Sequence, residues 1–255
     1  MLLEKHGLAV DSKTVRNSLR SAGLIAVHQP KKPRLSPKNI RDRLDFARSH
    51  ADWTLDDRKR VIWSEETKIN CYCSDRRAYA WICEGTSLRS HQVQQTVKHG
   101  GSSVMVWGCM TYEGAGFMCK IDGRMDGPLY RSILQDELKQ TIDFFKLSPS
   151  EVIFQHDNDP KHRSRLVQDW LGEQEYAVVE WPSCSPDLNP IEHLWPHLKR
   201  QLGKYEKPPS GMLELWERVQ EEWGKIPAEV CANLIDSLPR RIKAVIRAKG
   251  RWTRY

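Results

Sequence analysis

EVIFQHDNDPKH (residues 151–162) and, beyond it, EWPSCSPDLNPIEHLW (residues 180–195) decide how this chain folds. Glu151 to His156 is an apolar, β-branched run that ends in Asp157-Asn158-Asp159-Pro160. It reads as a buried strand that stops in an acidic turn. Asp157 then stands at the carboxyl end of a strand, where open α/β sheets carry their sites. Pro160 can open the next helix, with His162, Leu166, Val167 and Trp170 at helical spacing. A short strand is expected over residues 176–180 and a loop over residues 181–188. Asn189-Pro190-Ile191-Glu192 reads as a helix start, with Asn189 as cap and Pro190 in the first turn. Ile191, Leu194, Trp195, Leu198 and Leu202 form its buried stripe, and Glu192, about 100° from Ile191, sits at the stripe's edge. Asp157 and Glu192 are separated by 34 residues. A strand end and a helix start at that separation can bring two carboxylates to one point. Such a pair suits Mg²⁺ or Mn²⁺, hard cations that take oxygen ligands. Each residue also has an ordinary reading, Asp157 as a turn residue and Glu192 as a complement to the helix dipole.

Working outward, 255 residues suffice for one sizeable core with a small appended module. No apolar run approaches 18 residues and the first 30 lack an apolar signal core, which argues against a membrane span or secretion. The seven cysteines are irregularly spaced and read as reduced thiols; a zinc site from Cys71, Cys73 and Cys83 is the weaker alternative. Charge is divided along the chain. Residues 1–60 hold 14 Lys/Arg against 7 Asp/Glu, and residues 240–255 hold 7 Lys/Arg and no acid. Residues 61–239 hold 19 basic and 26 acidic residues. Basic ends around an acidic body suggest polyanion contacts outside and a cation-demanding centre.

The pattern predicts a short helix over residues 2–8, then a second over 13–22 capped by Asp11 or Ser12 and ended by Gly23. Val15 and Leu19 face inward there. Lys13, Thr14, Arg16, Asn17 and Arg20 face out, as on the DNA-reading helix of a helix-turn-helix. The Pro-rich stretch 28–39 is a linker whose Lys31, Lys32 and Arg34 could meet DNA or serve nuclear import. A basic amphipathic helix follows over residues 37–50. Val61–Trp63 starts a strand, further strands are expected at 78–83 and 103–111 with Met105 and Trp107 in the core, and 126–145 reads as one long helix. Early hairpin strands followed by parallel units describe an α/β, ribonuclease H-like mixed sheet flanked by helices, preceded by a small helix-turn-helix remnant. Three helices close the chain, ending in a basic, aromatic tail that fits DNA contact or a frayed end equally.

VIWSEETK (61–68), GGSSVMVWGCM (100–110), FQHDNDPKH (154–162) and WPSCSPDLNPIEHLW (181–195) resemble the catalytic-domain signatures of Tc/mariner-superfamily DNA transposases. VDSKTVRNSLRSAGL (10–24) is similar to the second helix-turn-helix of their DNA-binding region. The resemblance implies cleavage at transposon ends and strand transfer into target DNA by a two-metal mechanism. It implies two Mg²⁺ or Mn²⁺ ions held by a triad: Glu65 first, Asp157 second, Glu192 third. His156, Asn158, Lys161 and His162 become candidates for the surrounding layer, with His193 near them. A nuclear homodimer that joins two DNA ends and inserts at TA steps follows from the same resemblance, with no membrane association. The implied division is residues 1–28 partial helix-turn-helix, 29–60 basic linker and helix, 61–205 catalytic domain and 206–255 helical basic extension.

Three departures stand out. The family has Asp where Glu65 stands, and an extra methylene displaces a carboxylate where Mg²⁺ demands near-ideal geometry. Glu66, on the opposite strand face, is a poor substitute. Pro196 is expected to kink the helix that bears Glu192. The family's first DNA-binding subdomain is expected ahead of residue 1. Together they suggest a truncated, decayed or domesticated copy, and they leave a catalytically inactive, transposase-derived DNA-binding or interaction protein as the alternative.

Overall fold

The computed structural model describes residues 11–24, 32–71 and 102–255. The chain divides into two compact units, residues 1–34 and 35–255. In the first, α1 spans Ser12–Ser21, and Asp11 caps it by accepting from the Lys13 amide. Lys13, Thr14, Arg16, Asn17 and Arg20 are exposed and Val15 is half-buried. Leu19, expected inward, is 47% exposed. Residues 2–8, its expected packing partner, lie outside the described residues, as do the strand expected at 78–83 and Lys31.

The second unit is built on β1 (Val61–Asn70). β2 (Ser103–Thr111) pairs antiparallel to it, and β3 (Gly114–Ile121) pairs antiparallel to β2. On its other edge β1 is parallel to β4 (Ile153–Gln155), which is parallel to β5 (Ala177–Val178). The sheet order is therefore β3-β2-β1-β4-β5. β1 is longer than expected. β3 was not anticipated, because its Gly-Ala-Gly start hides the strand pattern. Met105, expected in the core, is 43% exposed, although it shares a strand face with the fully buried Trp107.

Strand alternation divides two cores. Val61, Trp63, Val104 and Val106 face one side, where they pack with helices α2 (Pro37–Ser49), α7 (Leu194–Leu202), α8 (Met212–Gly224), α9 (Ala228–Ile235) and α10 (Leu238–Arg247). Ile62, Trp107 and Phe154 face the other. There α4 (Gly127–Ile133), α5 (Lys139–Phe144) and α6 (Arg165–Gly172) cover them. A short α3 (Leu55–Lys59), closed by a Thr54–Asp57 capping box, leads into β1. The long helix expected over 126–145 is interrupted by a π-helical turn at Leu134–Leu138. The helix expected to open at Pro160 starts at Arg165, because Asp159 first closes a turn: its backbone carbonyl accepts from the His162 and Arg163 amides.

Pro196 does not kink a continuing helix. Residues 190–193 form a 3-10 turn and α7 begins at Leu194, so Pro196 lies in the first turn of α7. No intrahelical amide bond is due there, and a proline costs little.

The loop between β5 and the 3-10 turn is fixed by one buried ion pair. Arg43 and Asp187 are 0% and 1% exposed at their side chains and meet through both guanidinium ends, Nη1–Oδ1 and Nη2–Oδ2, each at 2.7 Å. Arg43 also donates to the carbonyls of Cys184 (2.8 Å) and Gly250 (2.9 Å), and Thr253 Oγ1 donates to Asp187 Oδ2 at 2.8 Å. The tail is thus part of the fold and not frayed. Gly250 has φ +79°, and a Cβ there would lie 2.0 Å from the Ile40 carbonyl oxygen, so only glycine lets the tail meet α2.

Burial alone would push the Asp187 carboxyl up, but the Arg43 guanidinium and Thr253 outweigh it and hold it below the usual carboxylate range. Its contribution is complete above about pH 4 and is lost as pH falls through the lower folded value. Asp187→Ala strands a buried guanidinium and is expected to cost about 3–5 kcal/mol. Calorimetry near pH 7 should show Tm falling by roughly 10 °C. The deficit should shrink below pH 4, where the natural protein loses the same contribution.

Candidate active site

β1 supplies two neighbouring carboxylates that alternation sends to opposite faces. Glu65 follows Trp63 toward the α7 side, and Glu66 follows Ser64 toward α4. Asp157 lies two residues past β4, the parallel neighbour of β1. Glu192 lies in the 3-10 turn Pro190–His193 that leads into α7. Glu65, Asp157 and Glu192 line one cleft of about 360 Å³, with Asn158, Asp159 and the loop 181–186 completing the wall beside Asn189. The structure therefore brings together the three carboxylates of the sequence-derived triad.

Their charges are coupled. Burial, then the carboxylates of Glu66, Glu192 and Asp157, push Glu65 up to about 8. Burial also raises Glu192, opposed by Lys199 and reinforced by Asp157. Asp157 goes the other way. Burial would raise it, but His162, the Asp159 amide and Lys161 together lower it. His162 is the counter-charge. Its Nδ1 lies 2.7 Å from Asp157 Oδ1 and its Nε2 3.1 Å from Glu66 Oε1. Burial opposes its protonation, yet the two carboxylates raise it to about 9, so it is a cation at neutral pH. Tyr130 stacks on His162 with ring centroids 3.8 Å apart. The Tyr130 hydroxyl lies 3.0 Å from Nδ1 of His156. Burial and the His162 charge push His156 down to about 4, so it is neutral.

The other candidates support this cluster. Lys161 Nζ lies 2.7 Å from Asp159 Oδ2 and 3.8 Å from Glu66 Oε2. Asn158 donates to the Trp181 carbonyl and to Ser183 Oγ, tying the acidic turn to the loop 181–186. His193 is exposed, with its ring centroid 6.4 Å from that of Tyr255. Lys32 and Arg34 are exposed in the first unit.

Two residues escaped the sequence reading. Asn189 stands at the cap position but makes no capping bond. Its Nδ2 donates instead to the Ser64 carbonyl at 3.2 Å and to Glu65 Oε2 at 3.4 Å. Gln155 Oε1 accepts from the Ser64 amide at 3.2 Å, fastening β4 to β1 below the cleft. Asn in NPIE and Gln before HD were visible as polar residues in apolar surroundings, the one signal available.

The donor set fits a divalent cation: three crowded carboxylates, all oxygen ligands, one of them pushed toward its protonated form by burial and by the others. Among the described residues no group of three His, Cys, Asp or Glu side chains stands at metal-ligand spacing.

Comparison with known proteins agrees with this geometry. Residues 60–211 match the family described as DDE superfamily endonuclease, and residues 1–52 match a helix-turn-helix family described as Transposase. The Tc1 transposase of Caenorhabditis elegans is 38% identical over 256 residues, covering 100% of this chain and 92% of that protein. The Tcb1 transposase of Caenorhabditis briggsae is 40% identical over 245 residues, covering 95% and 88%. Among solved structures, a Mos1 transposase paired-end complex with the left transposon end superposes with a TM-score of 0.80 at 20% identity, over 99% of this chain and 77% of that one.

Removing the cation between the two carboxylates should be felt in stability. His162→Leu leaves Asp157 and Glu66 without their charged partner. We expect a loss of about 1.5–3 kcal/mol, the range for hydrogen bonds to charged groups, in urea unfolding at pH 7.

Proposed function

The chain belongs to the Tc/mariner superfamily of DDE transposases, and from that premise we propose how its own residues carry out DNA cleavage and strand transfer. It binds DNA at transposon ends, uses a divalent metal, cleaves phosphodiester bonds and joins the freed 3′-hydroxyl to target DNA. The observation that carries the residue assignment is the convergence of Glu65, Asp157 and Glu192 on one cleft at the carboxyl end of β4.

These three carboxylates would hold Mg²⁺ or Mn²⁺, two ions in the full reaction. When bound, such ions polarise the scissile phosphate and ready a water or 3′-hydroxyl as nucleophile. In the first step water attacks phosphorus, and the bond to the 3′-oxygen breaks to leave a 3′-hydroxyl. In the second, that hydroxyl attacks a target phosphodiester and displaces its 3′-oxygen. His162 keeps Asp157 ionised and fixed from the far side, and Lys161 adds positive charge to the same edge. The neutral His156 completes the stack without adding charge.

DNA contact is assigned to Lys13, Thr14, Arg16, Asn17 and Arg20, exposed on α1, followed by Lys31, Lys32 and Arg34. α10 adds Arg240, Lys243 and Arg247, exposed on the side opposite its buried Ile242 and Val245. We assign residues 1–28 to the DNA-reading region, 29–60 to the basic linker and helix, 61–205 to catalysis and 206–255 to the helical extension. A homodimer acting in the nucleus is the working state, since one chain must hold one end while two ends are joined. No helix among the described residues is long and apolar enough to cross a membrane.

Supercoiled plasmid with Mn²⁺ tests this. The natural protein is expected to nick it, and Asp157→Ala to reduce nicking by at least about a hundredfold, the scale of a displaced or missing catalytic group. Nicking that survives Asp157→Ala would refute the assignment.

A further inference from the structure

Glu65 is the carboxylate that β1 contributes to the cleft. The side chain is turned back on its own strand. Oε1 accepts from the backbone amide of Glu66 at 3.1 Å, and Oε2 is met by Asn189 Nδ2 at 3.4 Å. Both oxygens are thus held from the protein side.

Asn189 is well placed to do this. It is 1% exposed and lines the cleft with the three carboxylates. Pro190 restricts its backbone to the extended region, and it sits at φ −81°, ψ 114°. Its amide nitrogen donates to the Pro186 carbonyl at 3.1 Å. The same Nδ2 holds the Ser64 carbonyl at 3.2 Å, so the donor is registered on β1 itself, one residue before Glu65. The side chain forgoes the helix-capping bond that its position offers. Its Oδ1 is buried and has no hydrogen-bond partner among the described residues.

We propose that Asn189 is the positioning residue for Glu65, drawing the longer carboxylate back so that it serves with Asp157 and Glu192 as one cation-binding set. This rests on the reading of the cleft given above. An Asp at position 65 is one methylene shorter, and its carboxylate is expected to sit farther from the Asn189 amide than the 3.4 Å of Glu65 Oε2. Asn189 and Glu65, 124 residues apart in sequence, therefore act as a unit.

The test is Mn²⁺ binding to the full chain, read as loss of the free Mn²⁺ paramagnetic resonance signal, with no DNA present. Asp157→Ala is the control for the cleft itself and should abolish binding. Asn189→Ala should weaken Mn²⁺ binding about 10–100-fold, as loss of a ligand-orienting partner does. In a Glu65→Asp background the same Asn189→Ala change should alter affinity by no more than about twofold, the margin for independent sites. A merely structural role would weaken both backgrounds equally. Should Asn189→Ala melt below the assay temperature, Asn189→Ser keeps a hydroxyl donor for β1 but is too short for Glu65, and the same comparison applies. Unchanged affinity in Asn189→Ala, or an equal loss in both backgrounds, overturns the inference while leaving the cleft assignment standing. Unchanged binding in Asp157→Ala overturns the cleft assignment itself and the inference with it.

Discussion

The Arg43–Asp187 pair is the constraint on which the loop leading to Asn189 and Glu192 depends. A buried ion pair gains little net stability, because desolvation offsets much of the attraction, but its geometry tolerates no alternative. Here one guanidinium gathers three separate pieces of chain: α2 that carries it, the loop at Cys184–Asp187, and the tail at Gly250–Thr253. Asn189 and Glu192 follow Asp187 by two and five residues. With Asp187 fixed, the 3-10 turn that bears Glu192 has a defined starting point over β1. Residues 240–255, which the charge pattern marks as a basic end, thus also serve as a strap. Arg241 is 1% exposed and donates to the Asp187 carbonyl at 3.0 Å.

The site is an alternation of charge built on strand geometry. β1 turns Glu65 into the cleft and Glu66 away from it, and His162 stands behind with one nitrogen toward Glu66 and the other toward Asp157. Within the cleft, burial and then the neighbouring carboxylates raise Glu65 to about 8, while His162 and Lys161 hold Asp157 low. Acids crowded in the cleft, with the His162 cation behind them, have the electrostatics that suit a bound cation.

Much of this was legible in the residues. An apolar run stopped by Asp-Asn-Asp-Pro, and Asn-Pro-Ile-Glu before an apolar stripe, are local signals, and β4 and the turn bearing Glu192 lie where those signals put them. The mixed sheet followed from the order of elements. Other features depend on contacts distant in sequence. Pro196 looked disruptive until the 3-10 turn moved the helix start to Leu194. Asp187 read as a loop residue because its partner is 144 residues away. Asn189 read as a cap because capping is what Asn does locally, whereas here β1 outcompetes the helix for its donor. β3 was hidden by its glycines, and Leu19 and Met105 carried a correct local pattern into half-exposed positions.

Whether Glu65 works together with Asp157 and Glu192 decides the chemistry of the cleft. Anomalous diffraction from crystals of the protein grown with Mn²⁺ and a cleaved DNA end addresses that directly. The account predicts Mn²⁺ peaks in the cleft in direct contact with oxygens of Asp157, Glu192 and Glu65, with Asn189 still bonded to the Glu65 carboxylate. Mn²⁺ held by Asp157 and Glu192 while Glu65 stays uncoordinated, or no Mn²⁺ in the cleft at all, would contradict it.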